Sequence, residues 1–321
     1  MQIGYKLATE AFDPKQIVEQ TQLAERAGFD FVELSDHYHP WLETQGHSGF
    51  TWSMLGTMAA VTSRIGLATG VTCPSFRYHP AIIAQAAATV QILSDNRFTL
   101  GVGAGERLNE HIVGDFPSVR KRHERFREAL EIINLLWQGG YQSYDGIYFE
   151  LDDARVWDLP EQLPVIAVAS SGSASATIAA ELGTGLFATE PKSSIVQAYA
   201  QAGGEGPRYA EVPMAWAPDD DTAIKAVLET SRWALTGWKV MSELPNPVNF
   251  DAASATVRAE DVAKQFAVGP DVEKYVQHVQ QYVDAGFDHI VLQNAGPDPE
   301  GFVDFFTREL ADRLRTLTPS A

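Results

Sequence analysis

Four clusters in this 321-residue chain combine residue types and spacings suited to chemistry. In Ser35-Asp36-His37-Tyr38-His39-Pro40-Trp41, a histidine that exchanges protons near neutral pH stands beside a carboxylate that can orient it and a tryptophan that can wall a planar ring. A capped strand end with surface histidines would carry the same residues. His37 and His39 share a strand face at i and i+2, but no third ligand accompanies them, so no metal site is expected. The run Gly101-Val102-Gly103-Ala104-Gly105-Glu106-Arg107-Leu108-Asn109-Glu110 has glycines that let backbone N–H groups approach a phosphate or a flat ring, followed by an acid, Glu106. It has neither the spaced dinucleotide fingerprint nor the P-loop pattern.

The third cluster, Thr69-Gly70-Val71-Thr72-Cys73-Pro74, places a glycine inside a strand, which marks a bulge, a close approach of backbone to ligand, or an ordinary turn. Cys73 has no base partner in the sequence and reads as a small packing residue. The fourth is the basic run Arg120-Lys121-Arg122-His123-Glu124-Arg125-Phe126-Arg127. In an acidic chain it is the best candidate to hold an anionic tail; a solvated helix face paired with Glu124 and Glu128 explains it equally well.

Such clusters need a frame that gathers them. Short apolar runs alternate with stretches of helical period along the whole chain, the pattern of parallel βα units. Strands are expected at Ile3–Leu7, Phe29–Ser35, Ile65–Thr72, Phe98–Gly103, Val165–Ser170, Gly185–Ala188, Val212–Trp216 and Ile290–Gln293. Eight is the count of an α/β (β/α)8 TIM barrel, whose mouth collects the residues after each strand. Helical spacing covers Pro14–Ala27, Thr51–Thr62, Pro80–Leu93, Arg120–Trp137 and Val272–Ala285, with Gly28 and Gly286 placed for left-handed caps. Residues 139–163 suggest a hairpin around Tyr144-Asp145-Gly146, and 235–258 a mobile or partly helical insertion. No composition shift divides the chain, which reads as one domain over 1–321.

A net charge of -18 and a pI near 4.8 argue against nucleic acid or an anionic membrane as partner. The start of the chain lacks a signal peptide's apolar region, and no apolar run approaches the roughly 20 residues of a membrane span. With one cysteine, a cytoplasmic protein acting on a small molecule is expected.

In order, Lys6 to Glu10, Ser35 to Trp41, Pro74 to Ala81 and Gly101 to Glu110 resemble the motif set of the F420-dependent glucose-6-phosphate dehydrogenase-like branch of the bacterial luciferase-like family. The resemblance continues to Ala285-Gly286-Phe287-Asp288-His289. It implies a luciferase-like barrel with insertions, a homodimer, and coenzyme F420 as cofactor for hydride transfer to or from an alcohol or carbonyl carbon. It implies His37 as the group exchanging the substrate proton, with Glu10 as the competing base. Trp41 would shield the ring and Glu106 would protonate it. Asp36, Gly70, Val71, Cys73, Gly103, Gly105, Glu106, Asn109, Ser171 and Gly172 fall at cofactor positions, and Gly70-Val71 where the superfamily carries a non-proline cis peptide.

The same resemblance points to Lys6, Trp41, Thr189, Lys192, Lys239 and Gln265 for the substrate, and here the chain departs from the branch. Glu190-Pro191 separates Thr189 from Lys192, Val240 follows Lys239 where a lysine-histidine pair is expected, and Gln265 replaces an arginine. A neutral amide does not replace a bidentate guanidinium on phosphate. These departures weaken the case for glucose 6-phosphate and leave the substrate open among sugars, sugar phosphates, secondary alcohols and, in reverse, ketones. An FMN-dependent monooxygenase or a non-catalytic cofactor-binding barrel are the competing readings.

Overall fold

The computed structural model describes residues 1–114 and 116–320. Its strands are β1 (Gln2–Leu7), β2 (Phe31–Leu34), β3 (Gly66–Thr69), β4 (Phe98–Val102), β5 (Gln142–Asp145), β6 (Glu150–Ala154), β7 (Val165–Ala169), β8 (Gly185–Ala188), β9 (Arg208–Ala215), β10 (Ala267–Val268) and β11 (His289–Asn294). Helices α1 (Pro14–Ala27), α2 (Thr51–Val61), α3 (Pro80–Leu93), α4 (Arg107–Glu110), α5 (Val119–Leu136), α6 (Ser173–Leu182), α7 (Ser193–Gln201) and α8 (Asp220–Thr230) alternate with them. Helices α9 (Trp238–Met241), α10 (Pro247–Ser254), α11 (Ala259–Gln265), α12 (Val272–Asp284), α13 (Pro299–Phe305) and α14 (Ala311–Arg315) complete the chain. Strands β1, β2, β3, β4, β7, β8, β9 and β11 pair in parallel in that order, and β11 returns to β1, closing an eight-stranded barrel; β10 hangs on the end of β9.

Alternation along each strand divides the core into two layers. Outward residues such as Ile3, Val32, Leu100 and Leu292 pack under the helices. Inward residues Phe31, Ala68, Ala167, Phe187, Tyr209 and Val291 fill the barrel. Gly4 makes room among them, because a Cβ there would fall on the Phe31 ring. Two residues further along, the inward positions turn polar: Lys6 on β1 stands opposite Glu33 on β2 in register, and Glu211 on β9 joins them. This ionic layer is the floor of the mouth.

The helices begin and stop for local reasons. Asp13 caps α1 by accepting from Lys15 N at 2.8 Å and Gln16 N at 3.0 Å, Gln16 returns a bond to Asp13 N, and Pro14 takes the first position. Gly28 ends it at φ 83, and Gly286 follows α12 at φ 100. The 139–163 excursion is a hairpin, with its turn at 146–149 held by the Glu128 carboxylate, which accepts from Ile147 N, Tyr148 N and Phe149 N. The 235–258 insertion is helical, and it is anchored to the mouth by Arg107 N donating to Ser242 O at 3.0 Å and by the Arg122–Glu243 ion pair at 2.7 Å. No helix among the described residues is long and apolar enough to cross a membrane.

Candidate active site

The mouth is built from the loops after β1, β2, β3 and β4. Glu10, after β1, lies with Oε1 2.6 Å from Nδ1 of His37, after β2, and neither atom has another partner among the described residues. Glu10 is buried, and the His37 side chain is 10% exposed. Burial raises the carboxyl and lowers the imidazole, but their mutual attraction wins on both sides. Glu10, which Lys6 also favours as an anion, is held down to about 2. His37 rises above its ordinary value, through Glu10 first and the charge of Glu106 second. The His37 ring meets the edge of Trp41 at 4.8 Å and 83°.

Trp41 is itself fixed. It stacks on Trp233 at 4.2 Å and 14°, and meets Phe250 edge-on at 5.1 Å. Trp233 and Phe250 come from the segment around the insertion, and the sequence reading missed both. The only signal was a tryptophan inside a polar, weakly periodic stretch. The insertion therefore forms an apolar backing for Trp41, with Leu42, Leu108 and Met241 in the same cluster.

Asp36 is held on all sides. Its carboxylate accepts from Thr72 Oγ1 at 2.8 Å and Tyr78 Oη at 2.9 Å, while Arg77 Nη2 donates to its carbonyl at 2.5 Å. The same guanidinium, through Nε, reaches Glu110 Oε1 at 3.1 Å, and the Arg77 backbone N–H donates to Glu110 Oε2 at 3.1 Å. Arg77 thus joins the loops after β2, β3 and β4, a role the sequence reading did not assign. Burial, with Glu106 adding to it, carries the Glu110 carboxyl up to about 7 against the pull of Arg77. Lysine at 77 keeps the charge and loses the fork, so Arg77→Lys is expected to lower unfolding stability by about 1.5–3 kcal/mol, read by urea denaturation.

Asn109 is placed differently from a ligand-contacting residue. It is fully buried, its Oδ1 accepts from Tyr38 N at 2.7 Å and His39 N at 3.0 Å, and its Nδ2 donates to the Glu106 carboxylate. It aims Glu106 and ties it to the His37 loop. Cys73 likewise serves packing: it is buried under Gly105, its Sγ lies 3.4 Å from Ser75 Oγ, and burial with nearby Glu110 pushes the thiol well up.

Between these loops runs a shelf of bare backbone. The Gly70–Val71 peptide is cis, as the resemblance implied. A Cβ on Gly70 would coincide with the Glu33 carboxylate, and one on Gly103 would come within 2.9 Å of Val71 Cγ2. Gly105 has φ 82. Across the mouth, Ser171 N donates to Ser175 Oγ at 3.2 Å, and Gly172 opens α6 with empty space where a Cβ would stand. Backbone that side chains cannot cover, ending at a helix N-terminus, fits a flat ring with an anionic tail.

Beside Glu10 and Trp41 is a cavity of about 220 Å³, lined also by Phe12, Gln45, Trp233 and Gln293. Of the residues expected at the substrate, only Lys6 and Trp41 reach it. Lys6 has all three donors committed, to Glu33 Oε1 at 2.9 Å, Gly70 O at 2.7 Å and Glu211, so it has none left for a substrate. Thr189 and Lys192 are exposed, and Lys192 pairs with Glu190 at 2.6 Å. Lys239 is exposed on α9; Gln265 ends α11, whose Lys264 and Phe266 border a separate cleft of about 360 Å³. The phosphate-holding set is not brought together. Nor is the basic run free: Arg122 binds Glu243, Arg127 binds Glu181 at 2.5 Å, Arg120 lies 3.6 Å from Glu124, and Arg125 donates to Ser75 O.

Known proteins resemble this chain along its length. The family model described as luciferase-like monooxygenase matches residues 1–289. An F420-dependent glucose-6-phosphate dehydrogenase of Microbacterium testaceum is 35% identical, with 98% of each chain covered, and one of Segniliparus rotundus is 36% identical, with 99% of each covered. Among solved structures, an F420-dependent secondary alcohol dehydrogenase in complex with an F420-acetone adduct superimposes with a TM-score of 0.91 at 28% identity, covering 98% of this chain and 99% of that one. The chain belongs to the luciferase-like family, on the branch that holds the F420-dependent glucose-6-phosphate dehydrogenases.

Proposed function

We propose that this chain is an F420-dependent oxidoreductase that moves a hydride between the cofactor and the alcohol or carbonyl carbon of a compact, uncharged substrate. The observation that carries the reading is the Glu10–His37 ion pair against Trp41, with Glu10 and Trp41 lining the cavity. Its cofactor half is supported by that shelf and by the relatives' shared use of F420; its substrate half by a wall with a carboxylate and no uncommitted ammonium among the described residues.

Bound at the shelf, F420 would supply the carbon that gives or takes the hydride. The chain supplies the proton. Nδ1 of His37 faces Glu10, so Nε2 is the atom left to exchange a proton with the substrate oxygen. Glu10, held near 2, is too weak a base for that exchange and acts by orienting His37 and stabilising its cation. Glu106, aimed by Asn109, is the second acid, on the cofactor side. Trp41 excludes water.

The raised His37 favours the imidazolium, a ready donor to a carbonyl oxygen being reduced. Alcohol oxidation needs the neutral ring, so kcat/KM for oxidation should climb as pH rises past the ordinary histidine value. In Glu10→Gln the anion that sustains the cation is gone and burial pulls the imidazole down, so the climb should move to lower pH. A pH–rate profile of both proteins checks the sign; an unshifted limb removes His37 from the reaction.

The reading takes residues 1–321 as one unit, since β1 and β11 adjoin in the barrel. It takes the protein as a homodimer, supported by Phe50, Ile82 and Leu93, each more than half exposed, in and beside α2 and α3. A cytoplasmic location goes with it, supported by a single cysteine that is free. Fluorescence titration should show F420 binding at micromolar or better affinity and little FMN binding; the opposite preference overturns the cofactor assignment.

A further inference from the structure

We propose that two neutral amides, Gln45 and Gln293, set specificity by reading a second oxygen function on the substrate, next to the reacting carbon. This rests on the oxidoreductase reading above and names the substrate class within it: small hydroxyketones and vicinal diols.

Gln293 belongs to β11, where Val291 is part of the cluster inside the barrel. Alternation turns Gln293 to the same inner face, two residues nearer the mouth. Tyr5 pairs with Leu292, so the next residues, Lys6 and Gln293, are neighbours at the cavity floor. Lys6 has spent its donors on Glu33, Glu211 and Gly70 O, which leaves the Gln293 amide, with Asn294 beside it, as a hydrogen-bonding group this part of the floor offers to a ligand.

Gln45 comes from the loop after β2. Its Oε1 accepts from Trp41 N at 2.9 Å and Leu42 N at 3.0 Å, which fixes which end of the amide is oxygen. Nε2 must then point away from that backbone, in a residue that is buried and lines the cavity. It is a fixed donor next to the tryptophan that walls the site. A substrate oxygen in the cavity would supply this donor with an acceptor.

The two amides do different jobs. Gln45 offers a donor; Gln293 offers a donor and an acceptor, so it can take a hydroxyl or a carbonyl. Neither carries charge, and both share the wall with the Glu10 carboxylate and apolar groups such as Phe12 and Trp233. A phosphate there would meet an anion and no free cation. A site that hydrogen-bonds a substrate hydroxyl rejects the analogue without it, because its own polar groups are left unpaired.

The test compares acetoin with butanone, which differ by one hydroxyl, using the full-length protein and reduced F420. Wild type should prefer acetoin in kcat/KM on the order of 10-fold or more. That ratio should fall toward one in Gln293→Met, which removes the amide and keeps the bulk. It should also fall in Gln45→Glu, which keeps the acceptor for Trp41 N and Leu42 N and loses the donor. F420 fluorescence titration of each variant reads the integrity of the cofactor site separately. A wild-type ratio near one, or an unchanged ratio in both variants, overturns the proposal while the oxidoreductase reading stands. Absence of F420-linked turnover with either compound overturns both.

Discussion

The His37→Ala protein is expected to bind F420 within a few-fold of wild type and to turn over substrate roughly 100- to 10,000-fold more slowly. The two halves of that result separate because of where the residue sits. Among the described residues no hydrogen bond ties the glycine shelf to the imidazole: Asp36 is held by Thr72, Tyr78 and Arg77, and Gly103 and Gly105 lie close to Val71 and Cys73. His37 touches Glu10 and Trp41, the residues on the substrate side. Its removal leaves the Glu10 carboxylate buried with Lys6, already shared by two other acids, as its nearest compensation. Glu10 should then take up a proton more readily and become a better but misplaced base. Residual activity in His37→Ala should therefore carry a pH dependence of its own. Near wild-type turnover would remove the histidine from the mechanism.

The second large effect is on stability. Lys6→Met is expected to cost about 3–5 kcal/mol of unfolding free energy, because breaking a buried ion pair strands the remaining charge. Here two are stranded: Glu33 is 1% exposed and Glu211 is 12%, and the ammonium between them is what makes their proximity tolerable. Burial drives the Glu33 carboxyl well up, with Lys6 opposing and Glu211 reinforcing the rise. In the absence of the lysine that rise grows. Lowering the pH should then partly restore Lys6→Met, since protonating Glu33 removes the repulsion. Adding Glu33→Gln should restore it at neutral pH. Urea denaturation at two pH values measures both; a loss below about 1 kcal/mol would mean the layer is more hydrated than its geometry indicates.

Much of this was legible in the residues. The eight barrel strands and the helices α1 and α3 follow from apolar spacing and from terminal signals such as Asp13-Pro14 and Gly28. What escaped was hidden by the same chemistry that makes the site. The first half of β9 was missed because Arg208 and Glu211 break its apolar run, and Glu211 is polar because it faces Lys6. Helices α6 and α7 were passed over because Ser and Ala dominate them and give little contrast between faces. At the site, His37, Trp41, Glu10 and Glu106 come together as their motifs suggested. The substrate residues did not, because side-chain commitment is a three-dimensional fact: Lys6 reads as a free cation in sequence and is triply bonded in the fold. Arg77 and Trp233 were invisible as site residues for the converse reason, since their importance lies in what they hold.

If this F420 barrel holds a neutral-substrate site, charge on the substrate decides turnover. F420 absorbance is followed anaerobically with the protein and, in parallel, a secondary alcohol, a small hydroxyketone run with reduced cofactor, and glucose 6-phosphate. Protein-dependent change with the uncharged compounds, and little or none with the sugar phosphate, is the predicted result. Turnover of glucose 6-phosphate alone would overturn the neutral-substrate site, because it would require a phosphate site where Lys6 is spent and Lys192, Lys239 and Gln265 stand apart.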